Sequence, residues 1–85
     1  MSQKYTVTET LDATGLSCPM PVVETKQAID GLEPDGVLEV RATDSGSVSD
    51  IAGWAEGTPG VELLEQEETT EAGDQVYVHY VRKTE

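Results

Sequence analysis

Phenylalanine is missing from this 85-residue chain, and cysteine, histidine and tryptophan each occur once. A lone cysteine closes no internal disulfide, and an exposed unpaired thiol is better tolerated in a reducing compartment. No apolar run approaches the roughly 20 residues that a membrane helix needs. The segment from Met1 to Thr10 is polar and threonine-rich, unlike the basic start and apolar stretch of a secretory signal. These absences predict a cytoplasmic protein with no membrane partner. Basic residues are also scarce: Lys4, Lys26, Arg41, Arg82 and Lys83 stand against 17 acids, for a formal charge of −12. Five scattered cations do not form the basic surface that phosphate neutralisation requires, which argues against tight, direct binding of nucleic acid.

The length suits one small domain spanning residues 1–85, with its folded core between about residues 5 and 83. Periodicity predicts the elements. Tyr5 to Leu11 reads as a threonine-rich first strand. From Pro19 to about Gly31, the apolar positions Val22, Ala28, Ile29 and Leu32 fall near one helical face, and Gly31 with Pro34 ends the helix. Val37 to Ala42 alternates Leu38, Val40 and Ala42 with Glu39 and Arg41, the pattern of a strand covered on one side. Val48, Ile51, Ala52 and Ala55 mark a second amphipathic helix, with Ser47 and Asp50 spaced as a capping box and Gly57-Thr58-Pro59-Gly60 as its stop. Val61 to Glu67 and Gln75 to Arg82 read as strands joined through a polar loop, Thr69 to Asp74. The expected fold is α+β: a two-layer sandwich in the order β-α-β-α-β-β, with both helices on one face of a four-stranded mixed sheet and the other face wet. Val22, Ile29, Leu38, Val40, Val48, Ile51, Val76 and Val78 are the expected buried residues.

Cys18 sits in the run Gly15-Leu16-Ser17-Cys18-Pro19-Met20-Pro21, at the predicted start of the first helix. There it would face unpaired backbone N–H groups and the positive end of the helix dipole, both of which favour the nucleophilic thiolate. Pro19 and Pro21 fit a first turn because their missing N–H groups would have no intrahelical partner, and Gly15 supplies an unusual backbone angle in the connecting loop. A free cysteine is commonly a small buried hydrophobe, but this one precedes the apolar stripe and is placed at a sheet edge open to solvent. Cys18 and His79 lie too far apart in sequence for a metal-ligand spacing. His79 alternates with Tyr77 and Val81 on the last strand and reads as a solvent-face or satisfied strand residue. Trp54 reads as a partly covered packing residue, with a partner contact as the alternative because tryptophan is enriched at interface hot spots. There is no convincing base and orienting group for a cysteine protease and no glycine-rich phosphate loop, so no metal or cofactor is expected. A nucleophilic sulfur without these aids suits carrying a group better than transforming one.

The stretch Leu11-Asp12-Ala13-Thr14-Gly15-Leu16-Ser17-Cys18-Pro19-Met20-Pro21-Val22 resembles the signature of the TusA/SirA-like sulfur-carrier family. The likeness continues through Leu38 to Ala42, Asp44, Asp50-Ile51 and Tyr80-Val81-Arg82-Lys83. It departs at Ser17, where many members have a basic residue, and at Met20, where they have an acid or leucine. The resemblance implies a carrier that accepts sulfane sulfur as a persulfide on Cys18 from a donor such as a cysteine desulfurase. The sulfur would then pass to an acceptor protein, in tRNA 2-thiouridine synthesis or related sulfur trafficking. The alternative is a non-catalytic regulatory or adaptor module that keeps the fold and binds a protein through its acidic face. The charge excess itself makes a prediction. Like charges at this density repel at low salt, and a Debye length of about 10 Å at 0.1 M shrinks as salt is added. Acidic, lysine-poor surfaces of this kind resemble those of proteins from salt-loaded cytoplasms, the plainer reading being simple solubility; thermal melts from low to molar salt are expected to rise in midpoint, and a flat or falling series would remove the salt-adapted reading.

Overall fold

A computed structural model of the protein describes residues 6–17 and 19–84. The elements follow as β1 (Glu9–Ala13), α1 (Met20–Asp30), β2 (Val37–Ala42), α2 (Gly46–Glu56), β3 (Val61–Glu71) and β4 (Asp74–Lys83). They build one mixed sheet in the order β1-β2-β4-β3, with β1 parallel to β2 and the other neighbours antiparallel. Side chains alternate across a strand, so directly paired residues share a face. Leu11, Val40 and His79 lie on one face by register, as do Leu38, Val81 and Leu63. That face carries the helices. Ile29 of α1 and Ile51 of α2 join Ala13, Leu32, Leu38, Val40 and Val81 in one buried cluster, with Trp54, Leu11, Leu16, Val61 and Leu63 packed at its margin. The two-layer β-α-β-α-β-β sandwich with both helices on one side is therefore the observed fold.

Several boundaries differ from the periodic reading. β1 begins at Glu9 rather than Tyr5, which lies outside the described residues. Its register explains the shift: Leu11 and Ala13 pair with Val40 and Ala42 on the core face, while Thr8 is joined to Val37 at the entrance to the strand, Thr8 N–H donating to the Val37 carbonyl at 2.8 Å. The expected polar loop at 69–74 is mostly ladder. β3 continues to Glu71, and the turn shrinks to Ala72 and Gly73, both at positive φ (51° and 84°), the combination that matches a tight hairpin to strand twist. α1 is rotated relative to the expected stripe. Pro21, Thr25 and Ile29 are its buried residues, whereas Val22 is only half-buried, and the Thr25 hydroxyl satisfies itself on the Pro21 carbonyl at 2.6 Å. Val48 is likewise half-buried, because Ser47, Ile51 and Ala55 form the inner face of α2.

The outer sheet face is not simply wet. Val76 and Val78 are each 4% exposed yet lie opposite the helices, in register with Thr69, Glu67 and Arg41. Arg41 on β2 pairs with Glu39 at 3.1 Å and also reaches Glu71 on β3, so its side chain spans β4 above this valine pair. Aliphatic parts of long charged side chains commonly cover apolar surface in this way.

The expected capping box is also replaced. Ser45 occupies the cap position of α2 without a side-chain hydrogen bond, and Ser47 is buried beneath the helix instead. An irregularity in β3 between Leu63 and Glu65 shifts the alternation by one residue, so that Gln66 comes opposite His79 on the helix side. Gln66 Nε2 donates to the Val48 carbonyl at 2.9 Å and to His79 Nδ1 at 3.1 Å; His79 Nε2–H is thereby left to donate to Ser47 Oγ at 3.1 Å. His79 is fully buried, and this burial pushes its pKa from 6.5 down to about 4. The neutral ring thus stabilises the fold fully above pH 6.5. That contribution, on the order of 3 kcal/mol, is lost as pH falls from 6.5 through 4. Because His79 is the only histidine, its ring C–H resonance is unambiguous, and an NMR titration is expected to give a midpoint near 4 in the folded protein. A midpoint between 6 and 7 would contradict the buried neutral ring.

Candidate functional site

β1 and β2 are parallel and end flush, Ala13 beside Ala42, so the two loops that follow them open on the same edge of the sandwich. The first loop is tightly built. Asp12 Oδ1 accepts from Thr14 N–H at 3.0 Å and from the Thr14 hydroxyl at 2.5 Å, and these bonds hold the Asp12 carboxyl below its ordinary pKa. Gly15 adopts φ +82°, as its place in the sequence predicts, and its N–H donates to Thr43 Oγ1 at 2.9 Å, tying the two loops together. Thr14, Gly15 and Thr43 line a cavity of about 440 Å3 with Asp74 and Gln75 from the start of β4. Thr43 escaped the sequence reading because its partner is 28 residues away and no local pattern marks it.

Cys18 lies outside the described residues; its neighbours define where the chain carries it. Ser17 and Pro19 are exposed, and α1 begins immediately afterwards, with Pro19 at the cap and Pro21 near the helix start. The N–H groups of this first turn are not waiting for an anion, contrary to the sequence expectation. Met20 N–H bonds to the Ser17 carbonyl at 2.9 Å, and the Val22 and Val23 N–H groups both bond to the Pro19 carbonyl at 3.1 Å. The helix dipole remains as the favourable field, and no acid in the first turn of α1 opposes it. Met20 and Val23 are 42% and 38% exposed, the two large apolar side chains left open on the described surface.

The sequence candidates thus divide. Gly15, Pro19 and Pro21 fall in one loop and helix start, whereas His79 is fully buried on the helix-side face of β4 with both ring nitrogens engaged by Ser47 and Gln66, and so has no free nitrogen to act as a base. Trp54 is half-buried and lines a separate cleft of about 220 Å3 with Lys26, Ile29 and Val61.

A family model described as Sulfurtransferase TusA matches residues 9–83, most of the chain and every element described above. The chain belongs to the TusA sulfur-carrier family. A Halobacterium salinarum protein that carries a provisional name as a sulfur carrier is 67% identical over 84 residues, covering 99% of both chains. The sulfur carrier protein TusA of a Pseudomonas aeruginosa strain is 42% identical over 79 residues, 93% of this chain and 94% of that one. Among solved structures, the crystal structure of a SirA-like protein from Desulfitobacterium hafniense superposes with a TM-score of 0.64 at 31% identity, covering 86% of this chain and 95% of that chain.

In this TusA-family chain, the loop bearing the Cys-Pro-x-Pro run depends on a left-handed glycine. A Cβ at Gly15 meets nothing within 4 Å, so Gly15→Ala isolates the backbone cost of a positive φ, about 1–2 kcal/mol. Its denaturation midpoint is expected to fall by that equivalent with the fold unchanged; an unaltered midpoint would show that the loop relaxes freely.

Proposed function

We propose that this protein carries sulfane sulfur as a persulfide on Cys18, taking it from a donor such as a cysteine desulfurase and relaying it to an acceptor protein. One observation does most to support the reading: the single cysteine precedes a helix start at the loop edge of the sandwich, while the single histidine is buried and fully engaged elsewhere. A site with a nucleophile and no adjoining base suits group transfer between thiols. The chemistry balances without an added redox agent. The Cys18 thiolate attacks the outer sulfur of the donor persulfide, the new S–S bond forms as the donor S–S bond breaks, and the electron pair leaves on the donor thiolate. Delivery repeats the exchange toward the acceptor.

The supporting residues in this reading are Gly15, which shapes the loop, and Pro19 and Pro21, which stiffen the helix start. The −12 charge favours protein partners over direct contact with tRNA, so a role in 2-thiouridine synthesis would run through an acceptor protein. Among the described residues no helix is long and apolar enough to cross a membrane, in keeping with work in the cytoplasm. The acidic surface and the 67% identical relative from Halobacterium salinarum support a salt-rich one.

Incubation with a cysteine desulfurase, cysteine and pyridoxal phosphate is expected to add about one sulfur atom to the intact mass of the wild type and none to Cys18→Ala. Cys18→Ala is expected to stay folded, since a loop substitution of this kind usually shifts stability by less than about 0.5 kcal/mol. Equal sulfur uptake and delivery by the two proteins would leave the adaptor reading in place of the carrier.

A further inference from the structure

Thr43 follows the last residue of β2, and Ala42 before it is paired with Ala13, so the parallel register brings its hydroxyl to the loop that leaves β1. There Thr43 Oγ1 accepts from the Gly15 N–H at 2.9 Å. Branching at Cβ leaves a threonine few side-chain rotamers, which makes the tie stiff as well as short. Gly15 itself is exposed and little else touches it. The space a Cβ would take there has no heavy atom within 4 Å beyond the neighbouring residues, and the loop borders the open cavity that Thr14, Asp74 and Gln75 also line.

Cys18 is the third residue after Gly15, so its Cα lies within about 11 Å of the glycine. The chain is held on both sides of the cysteine. After it, the Pro19 carbonyl accepts from the Val22 and Val23 N–H groups, each at 3.1 Å, and starts α1. Before it, the Leu16 N–H donates to the Ala13 carbonyl at 3.3 Å and the Leu16 side chain packs at the margin of the core. Leu16 thus anchors the segment from below, and Thr43 anchors it sideways, from the neighbouring loop.

We propose that Thr43 is a positioning residue for sulfur exchange at Cys18: its hydroxyl, acting through Gly15, fixes where the cysteine-bearing chain leaves the sheet edge. This rests on the carrier reading of Cys18. In the exchange step the Cys18 thiolate attacks the outer sulfur of a protein persulfide, a new S–S bond forms as the old one breaks, and the electron pair leaves on the other protein's thiolate. The reacting atoms must come within about 3–3.5 Å in line, and a misplacement of about 1 Å can cost about 100-fold in rate. A docked protein cannot re-aim itself at a displaced thiol, whereas a small electrophile can approach from any open side. Thr43 therefore bears on transfer inside a protein complex, in either direction, and leaves the intrinsic reactivity of the thiol alone.

The test separates position from reactivity. Thr43→Val keeps the branched shape, removes the hydroxyl and leaves the Gly15 N–H to water at the open cavity; Thr43→Ser keeps the hydroxyl. With saturating persulfidated cysteine desulfurase, the single-turnover rate of transfer to Thr43→Val is expected to fall about tenfold or more, with the half-saturating concentration within about twofold of the wild type. Thr43→Ser is expected to stay within about threefold in rate, since its hydroxyl can still accept the bond. Alkylation of Cys18 by iodoacetamide, and its pH profile, are expected to agree within about twofold in all three proteins. Hydrogen exchange of the Gly15 amide is expected to quicken about fivefold or more in Thr43→Val alone. Transfer to Thr43→Val at the wild-type rate, a change confined to half-saturation, an equal loss in Thr43→Ser or a parallel loss of alkylation would each overturn the positioning role. Gly15 exchange unaltered by Thr43→Val would overturn the tie on which it depends. Failure of the wild type itself to take up sulfur would remove the carrier reading, and the positioning role with it, whatever the exchange at Gly15.

Discussion

Ala13 and Ala42 end their strands side by side because β1 and β2 pair in parallel, and the candidate site depends on that pairing. Parallel neighbours must be joined by a crossover, here α1, and both strands then release their loops at the same edge. The loop after β1 leads to Cys18; the loop after β2 supplies Thr43, whose hydroxyl holds Gly15. Had β1 paired antiparallel, the two helix starts would lie at opposite ends of the sheet. The same pairing brings Leu11 and Ala13 onto the core face, so the interaction that places the candidate loop also completes the buried cluster.

A chain with so few cations places them with care. Arg41 ties Glu39 to Glu71 across β4, and Arg82 pairs with Glu62 across the β3–β4 ladder. Lys83 Nζ donates to the carbonyls of Leu32 at 2.8 Å and Asp30 at 3.2 Å, closing the C-terminal end of α1, whose last turn has no basic residue. Individually such surface pairs contribute little. Their positions matter more: Arg82 and Lys83 serve the sheet and the far end of α1, while Arg41, beside Asp12 in the β1–β2 register, also acts on the Asp12 carboxylate near the loop edge.

His79 separates stability from chemistry. Its ring could have been the general base of a hydrolase-like site, but the Leu63–Glu65 irregularity turns Gln66 onto it, and Ser47 takes the remaining nitrogen. A fully bonded neutral ring pins α2 to β3 and β4 and has no free lone pair or proton to offer a substrate. Whatever chemistry this TusA-family chain performs therefore does not draw on the imidazole.

The element order, the β2 strand to the residue, the helix stops and the left-handed Gly15 were legible in the sequence, because each rests on local physics: periodicity, proline and glycine geometry, and turn chemistry. The Cys18-Pro19-Met20-Pro21 run was legible for the same reason. The rotation of α1 onto Pro21 and Thr25 was not, since a threonine that bonds its own helix backbone looks polar in a pattern but packs as an apolar residue. The burial of Val76 and Val78 on the outer face depended on an arginine reaching over from another strand, and the bonding of His79 on a bulge that slides one strand past its neighbour. Sequence by itself determined the order and type of the elements and singled out Cys18 as the candidate site residue. Only tertiary structure decided which amides and imidazole nitrogens were already engaged, because those partners lie tens of residues away and meet only once the sheet has set its register.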